Sequence, residues 1–236
     1  MRLTPALLEL DGLVVNVELT LASIIQGVAL YFLTENARGS FALHQSVTWL
    51  YVVSGLLILL VFWSRSIIHT FTLIRWPLEF GHNFLYIGCA LVEALMFTRI
   101  TDPLGWFEMS IVYALGIWLL FAYDLRMVQP RTAEGPSSAT LQLSAMIARD
   151  QRLNIWLLIP ALFLYGAISV ICLRLWPHTF IARQAHGWLA AGQLLALLAY
   201  LCYVIRLFAR FAPLVTEREE ERQALIAGGA STSEEV

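Results

Sequence analysis

Six times the sequence returns to an apolar run of about 20 residues, the length of helix that crosses the hydrocarbon core of a bilayer. The runs cover residues 13–33, 47–63, 77–97, 106–125, 155–175 and 188–208. Between them, TENARGS, TDPLG and MVQPRTAEGPSS carry the Gly, Pro and polar residues of connectors. The chain is 59% hydrophobic and only 14% charged over 236 residues, with a mean hydropathy of +0.71. A water-soluble domain is nearer half apolar and a quarter charged, so the surplus requires lipid as a solvent. The expected fold is all-α: a polytopic bundle of six transmembrane helices, multi-pass in a bacterial inner or plasma membrane.

Arginine placement sets the expected direction. With both termini inside, the cytoplasmic segments hold eleven of the fifteen basic residues, all of them Arg, and the opposite side holds only Arg38, Arg99, Arg174 and Arg183. The predicted organisation is a cytoplasmic N-terminus over 1–12 and a transmembrane domain over 13–210 with a cytoplasmic connector over 126–154. A charged, partly disordered cytoplasmic tail follows over 211–236. Within the connector, residues 137–153 are expected to form a short helix on the cytoplasmic face, opened by a Ser cap. Every tryptophan except Trp118 falls at a predicted span end, where indole meets the headgroups.

The third run, WPLEFGHNFLYIGCALVEALMF, is apolar yet holds two glutamates, a histidine and an asparagine. At about 100° per residue, Glu79, His82, Asn83, Tyr86, Cys89, Ala90 and Glu93 share one arc about 120° wide. This run therefore spans, with its polar groups on a side that need not touch lipid. Gly81 and Gly88 are expected on the opposite face, letting a neighbouring backbone come close. Glu18 in the first run lies at nearly the depth of His82, and an ion pair between them is one expectation. Asp124 and Arg206 sit at the cytoplasmic ends of spans four and six, while Gln26 and Gln193 offer neutral polar groups deeper in. Burial disfavours an ionised carboxylate, and a carboxyl beside a histidine can exchange protons near neutral pH.

Several chemistries are excluded or thinly supported. Without lysine there is no Schiff base and no Lys nucleophile. There is no G-x-S-x-G, H-E-x-x-H or P-loop. Cys89, Cys172 and Cys202 lie in apolar runs and read as core residues. Glu79 and His82 form one Glu-x-x-His step where a di-iron bundle needs two, which leaves at most a single ion held by Glu18, Glu79 and His82. No cofactor is expected, and no nucleic acid at a net charge of −2. The expected partners are the lipid bilayer and further copies of the chain or a larger membrane complex.

The reading that follows is a channel or carrier for protons or a small ion or solute. Its path runs over Glu18, Glu79, His82, Asn83, Tyr86 and Glu93, and Asp124, Arg206, Gln26 and Gln193 support it. The competing reading is a non-catalytic component, a sensor, assembly factor or small subunit, whose polar stripe is packing glue or a docking face. The two diverge on whether the stripe lines an internal cavity.

Overall fold

The computed structural model of the chain describes residues 5–42, 46–71, 80–128 and 138–231, with side chains over 20–39, 46–68, 81–126, 141–218 and at 220. The described residues are helical almost throughout: α1 (Pro5–Ala42), α2 (Thr48–Phe71), α3 (Phe80–Phe97), α4 (Pro103–Val128), α5 (Ser138–Leu153), α6 (Ile159–Leu175) and α7 (His186–Ser231). Four stretches among them are long and apolar enough to cross a membrane: Thr48–Ile68, Pro103–Arg126, Leu141–Leu175 and His186–Arg218. Gly81–Phe97 is apolar but shorter, and α1 does not qualify over its described side chains. Six such runs were expected. The difference arises because part of the first and third runs lies outside the described residues.

Local chemistry sets the breaks. Asp102 caps α4, its Oδ1 accepting from Gly105 N at 3.1 Å, and Pro103 takes the first helical position, where a missing N–H is harmless. α6 ends at Trp176, which precedes Pro177 and leaves helical geometry with φ −126 and ψ 56. A wide π-type turn, His178–Ala182, follows, and Gln184 reverses the chain with φ 57. A second π turn, Asn154–Leu158, joins α5 to α6 without interrupting the helix. Such a turn inserts one extra residue and detaches a carbonyl from the regular ladder. Here Trp118 Nε1 on α4 donates to the Ile155 carbonyl at 3.0 Å.

The connector helix was expected on the membrane face. It forms over the expected residues, but it continues directly into α6 and packs against α4 and α7, with Leu143, Ile147, Asp150, Gln151 and Asn154 all buried. Asp150 and Asn154 turn inward because α2 and α7 supply their partners.

Six helices close a ring. α1 lies between α2 and α3, α3 packs on α4, α4 on α6, and α7 returns from α6 to α2. Trp106, Phe97, Tyr51 and Phe107 fill one end of the ring with edge-on and stacked rings. Trp106, expected among the headgroups, is fully buried there, and its Nε1 donates to Gln193 at 2.7 Å. Trp63, Trp156, Trp176 and Trp188 are exposed, as an interfacial belt requires.

Candidate functional site

The polar stripe of α3 faces into the ring. His82, Tyr86, Cys89, Ala90 and Glu93 are buried, while Phe84, Ile87, Leu91 and Leu95 are exposed on the other side of the helix. The glycines divide differently from the expectation. A Cβ at Gly81 would meet the Tyr123 hydroxyl at 2.7 Å, so that glycine does admit a neighbour, whereas Gly88 has nothing within 4 Å. The close approach of α3 to α4 rests on Gly81 and on Gly116, where a Cβ would stand 3.0 Å from Cys89 Sγ.

The helices wall a partly open cavity of about 120 Å³, lined from α1, α2, α3, α4, α6 and α7. Its lining residues run from His82 to Met96 on α3 and from Ser110 to Asp124 on α4. At 1.5 Å per residue each run is about 21 Å long, against about 30 Å for the hydrocarbon core. The cavity therefore lies lengthwise in the bundle. Most of its wall is apolar or aromatic, and its charged groups gather toward one end.

At that end His82 Nε2 lies 3.2 Å from Asp124 Oδ1, with Asp124 fully buried. Asn83 and Ser66 stand beside them on the wall. Arg65 on α2 also lines the cavity. It grips Asp150 with both terminal nitrogens, at 3.2 and 2.5 Å, and its guanidinium lies 4.8 Å from the centre of the Phe121 ring. Asp150 Oδ1 accepts further hydrogen bonds from Tyr203 (2.6 Å) and Asn154 (3.1 Å), and Tyr200 donates to Asn154 Oδ1 at 2.6 Å. α2, α5 and α7 are thereby tied together, with both charges buried and hydrogen-bonded as a low-dielectric interior demands.

Midway, Tyr86 stacks on Phe62 with ring centres 4.8 Å apart. Near the opposite end, Gln193 Oε1 receives Trp106 and its Nε2 donates to Ser110 at 3.3 Å. Glu93 lies deeper than its neighbours on the stripe, fully buried, with Gln26 Nε2 at 3.5 Å from Oε2 and no partner for Oε1 among the described residues.

Among the expected site residues, then, His82, Asn83, Tyr86, Asp124 and Gln193 line the cavity, while Glu93 and Gln26 form a separate pair behind it. Arg206 is exposed and does not line the cavity that Asp124 borders. Glu79, and the side chain of Glu18 with its expected pairing to His82, fall outside the described residues. Among the described residues no three His, Cys, Asp or Glu side chains gather to hold a metal ion.

Sequence reasoning missed Arg65, Asp150, Asn154, Tyr200 and Tyr203. Arg65 was counted among the eleven arginines of the cytoplasmic segments, yet Ile67 and Ile68 after it already signal that the apolar helix continues. Asp150 and Asn154 stand at i and i+4, one face of a helix, as do Tyr200 and Tyr203 at i and i+3.

No protein-family model matches this chain, and no curated protein or solved structure resembles it closely enough to lend it a function. The functional reading rests on the cavity.

Proposed function

We propose that the chain is a six-span membrane protein with both termini in the cytoplasm, acting as a channel or carrier for protons or a small ion or solute. One observation carries the reading: the His82, Asn83 and Tyr86 part of the α3 stripe borders a cavity between the helices. Polar groups at membrane depth are costly and are characteristically retained where a path or binding site needs them. The His82–Asp124 pair is the proton-exchanging element of that path, Asn83 and Tyr86 line it, and Glu93 with Gln26 flanks its far half. The eleven-to-four arginine bias supports the orientation, placing the Arg65 end of the cavity toward the cytoplasm.

A liposome assay tests this. Purified protein with a trapped pH dye and an imposed potential is expected to pass protons, and His82→Ala and Asp124→Asn to reduce the flux while remaining folded. Wild-type flux no greater than that of empty liposomes would retire the proton form of the proposal. The alternative, a non-catalytic membrane component, draws support from the Arg65–Asp150 network, whose bonds are all internal and act as glue. A chain that conducts nothing and co-purifies with a stoichiometric membrane partner would favour that alternative.

A further inference from the structure

One border of the bundle carries arginines that the protein does not neutralise itself. Arg149 on α5 and Arg206 and Arg210 on α7 are exposed, and none makes an ion pair among the described residues. Asp150, beside Arg149, is taken by Arg65. Glu217 and Glu220 lie about two and three turns beyond Arg210 on α7. At the opposite end of the bundle, Arg99 has Asp102 at 4.0 Å and Arg174 has Glu108 at 2.5 Å.

The three arginines share one groove. Tyr203 donates to Asp150 and Tyr200 to Asn154, so α5 and α7 lie side by side and run in opposite directions. At about 100° per residue from those contacts, Arg149 and Arg206 turn to one flank of the pair, while Asn154 and Tyr200 turn to the other. Arg210 follows Arg206 by one turn on the same flank. Their depth is that of lipid headgroups. From the exposed Trp188, at 1.5 Å per residue, Arg206 and Arg210 stand about 27 and 33 Å along α7, against about 30 Å for the hydrocarbon core. Toward the middle of the bilayer this flank of α7 continues as Cys202 and Leu195, both exposed, which offers an acyl chain a seat.

We infer that this groove seats an anionic phospholipid of the adjoining leaflet, its headgroup phosphate held by Arg149, Arg206 and Arg210 and an acyl chain lying along Leu195. Guanidinium groups match phosphate oxygens with paired hydrogen bonds. Three cations around one phosphate leave a positive surplus. The groove therefore favours a headgroup with no cation of its own, and repels the ammonium of a zwitterionic one. The site depends neither on transport nor on which leaflet this border faces.

The test uses the full chain in neutral detergent, with phosphatidylglycerol, phosphatidylcholine of the same chains and glycerol 1-phosphate as probes. Native mass spectrometry counts bound lipid, and thermal unfolding reports its effect. Phosphatidylglycerol is expected to bind about tenfold more tightly than phosphatidylcholine and to raise the Tm further. Glycerol 1-phosphate, which lacks the chains, is expected neither to raise the Tm nor to displace the lipid at equal concentration. The triple variant Arg149→Gln, Arg206→Gln, Arg210→Gln is expected to bind the two lipids equally. Its lipid-free Tm is expected to match wild type, because the three side chains are exposed and hold no ion pair among the described residues. Where the triple variant does not fold, Arg206→Gln alone decides, with the preference expected to fall about threefold. Arg183→Gln, at an exposed arginine of the opposite end, is expected to keep the full preference. Equal binding of both lipids by wild type, a preference that survives the triple variant, or an equal loss in Arg183→Gln would overturn the assignment. Displacement of the lipid by glycerol 1-phosphate at equal concentration would overturn it too, in favour of a site for free phosphate.

Discussion

Arg65 and Asp150 lie 85 residues apart in sequence and share two hydrogen bonds inside the bundle, the shorter at 2.5 Å. Each is the reason the other is tolerated there. Breaking such a pair leaves an uncompensated buried charge, whereas replacing both members with apolar residues removes the desolvation penalty as well. Arg65→Ala and Asp150→Ala are each expected to destabilise by about 3–5 kcal/mol, and Arg65→Leu with Asp150→Leu by clearly less than the sum. Urea or thermal unfolding in detergent checks this as a double-mutant cycle. Full additivity would mean that the two side chains act independently.

Trp106 and Gln193 make a second, neutral test. The indole is fully buried, and its N–H is the partner of Gln193 Oε1. Trp106→Phe keeps much of the ring packing against Tyr51 and Phe97 but leaves a buried acceptor with one donor fewer. A loss of about 1–3 kcal/mol is expected. The double variant Trp106→Phe, Gln193→Leu is expected to recover part of it, because the orphaned acceptor is gone. Unfolding midpoints of the three variants at constant detergent report the difference.

These two pairs also show what a sequence can and cannot reveal. The α3 stripe was legible because helical periodicity alone puts His82, Tyr86 and Glu93 on one side, and a bilayer makes that side the inner one. The direction in which Asp150, Gln151 and Asn154 point was not legible. In a segment of ordinary polarity they match a solvated surface helix, and Arg65, Tyr200 and Tyr203, brought in from α2 and α7, are what hold Asp150 and Asn154 inward. Trp106 misled for a related reason. Its place at a run end suits the headgroups, and what holds it inside is Gln193, 87 residues away. Local pattern specifies elements and their apolar faces; pairings between distant polar residues fix which end residues are withdrawn from the surface.

The proposed orientation makes a prediction of its own. With an even number of spans, both termini share one side, and the arginine bias puts that side in the cytoplasm. A green fluorescent protein fused after Val236 is expected to fluoresce in bacterial cells, and a periplasm-dependent phosphatase at the same point to stay inactive. The phosphatase inserted at the TDPLG connector is expected to be active, because the proposed orientation puts residues 101–105 on the outer side. An active phosphatase at the C-terminus would require an odd number of crossings or the reverse orientation.

Glu93 separates a conducting role from a structural one. The side chain is fully buried, and two acceptors stand together there without donors among the described residues: Glu93 Oε1 and Gln26 Oε1. A glutamine at position 93 keeps the acceptor for Gln26 Nε2 and adds an amide donor to a buried pair that has an unpartnered acceptor on Gln26. Glu93→Gln is therefore expected to leave stability within about 0.5 kcal/mol of wild type or to raise it, since a satisfied neutral pair is cheaper to bury than a carboxylate. Glu93→Ala removes the pairing altogether and is expected to lose about 1–3 kcal/mol, with Gln26 stranded. The same two variants in the liposome assay complete the argument. If Glu93 passes protons, Glu93→Gln loses flux while holding its fold, because an amide occupies the same space and cannot titrate. Glu93→Gln with wild-type flux would remove Glu93 from the path and leave conduction to the His82–Asp124 pair. A Glu93→Gln variant as unstable as Glu93→Ala would mean that the carboxyl itself holds α1 to α3.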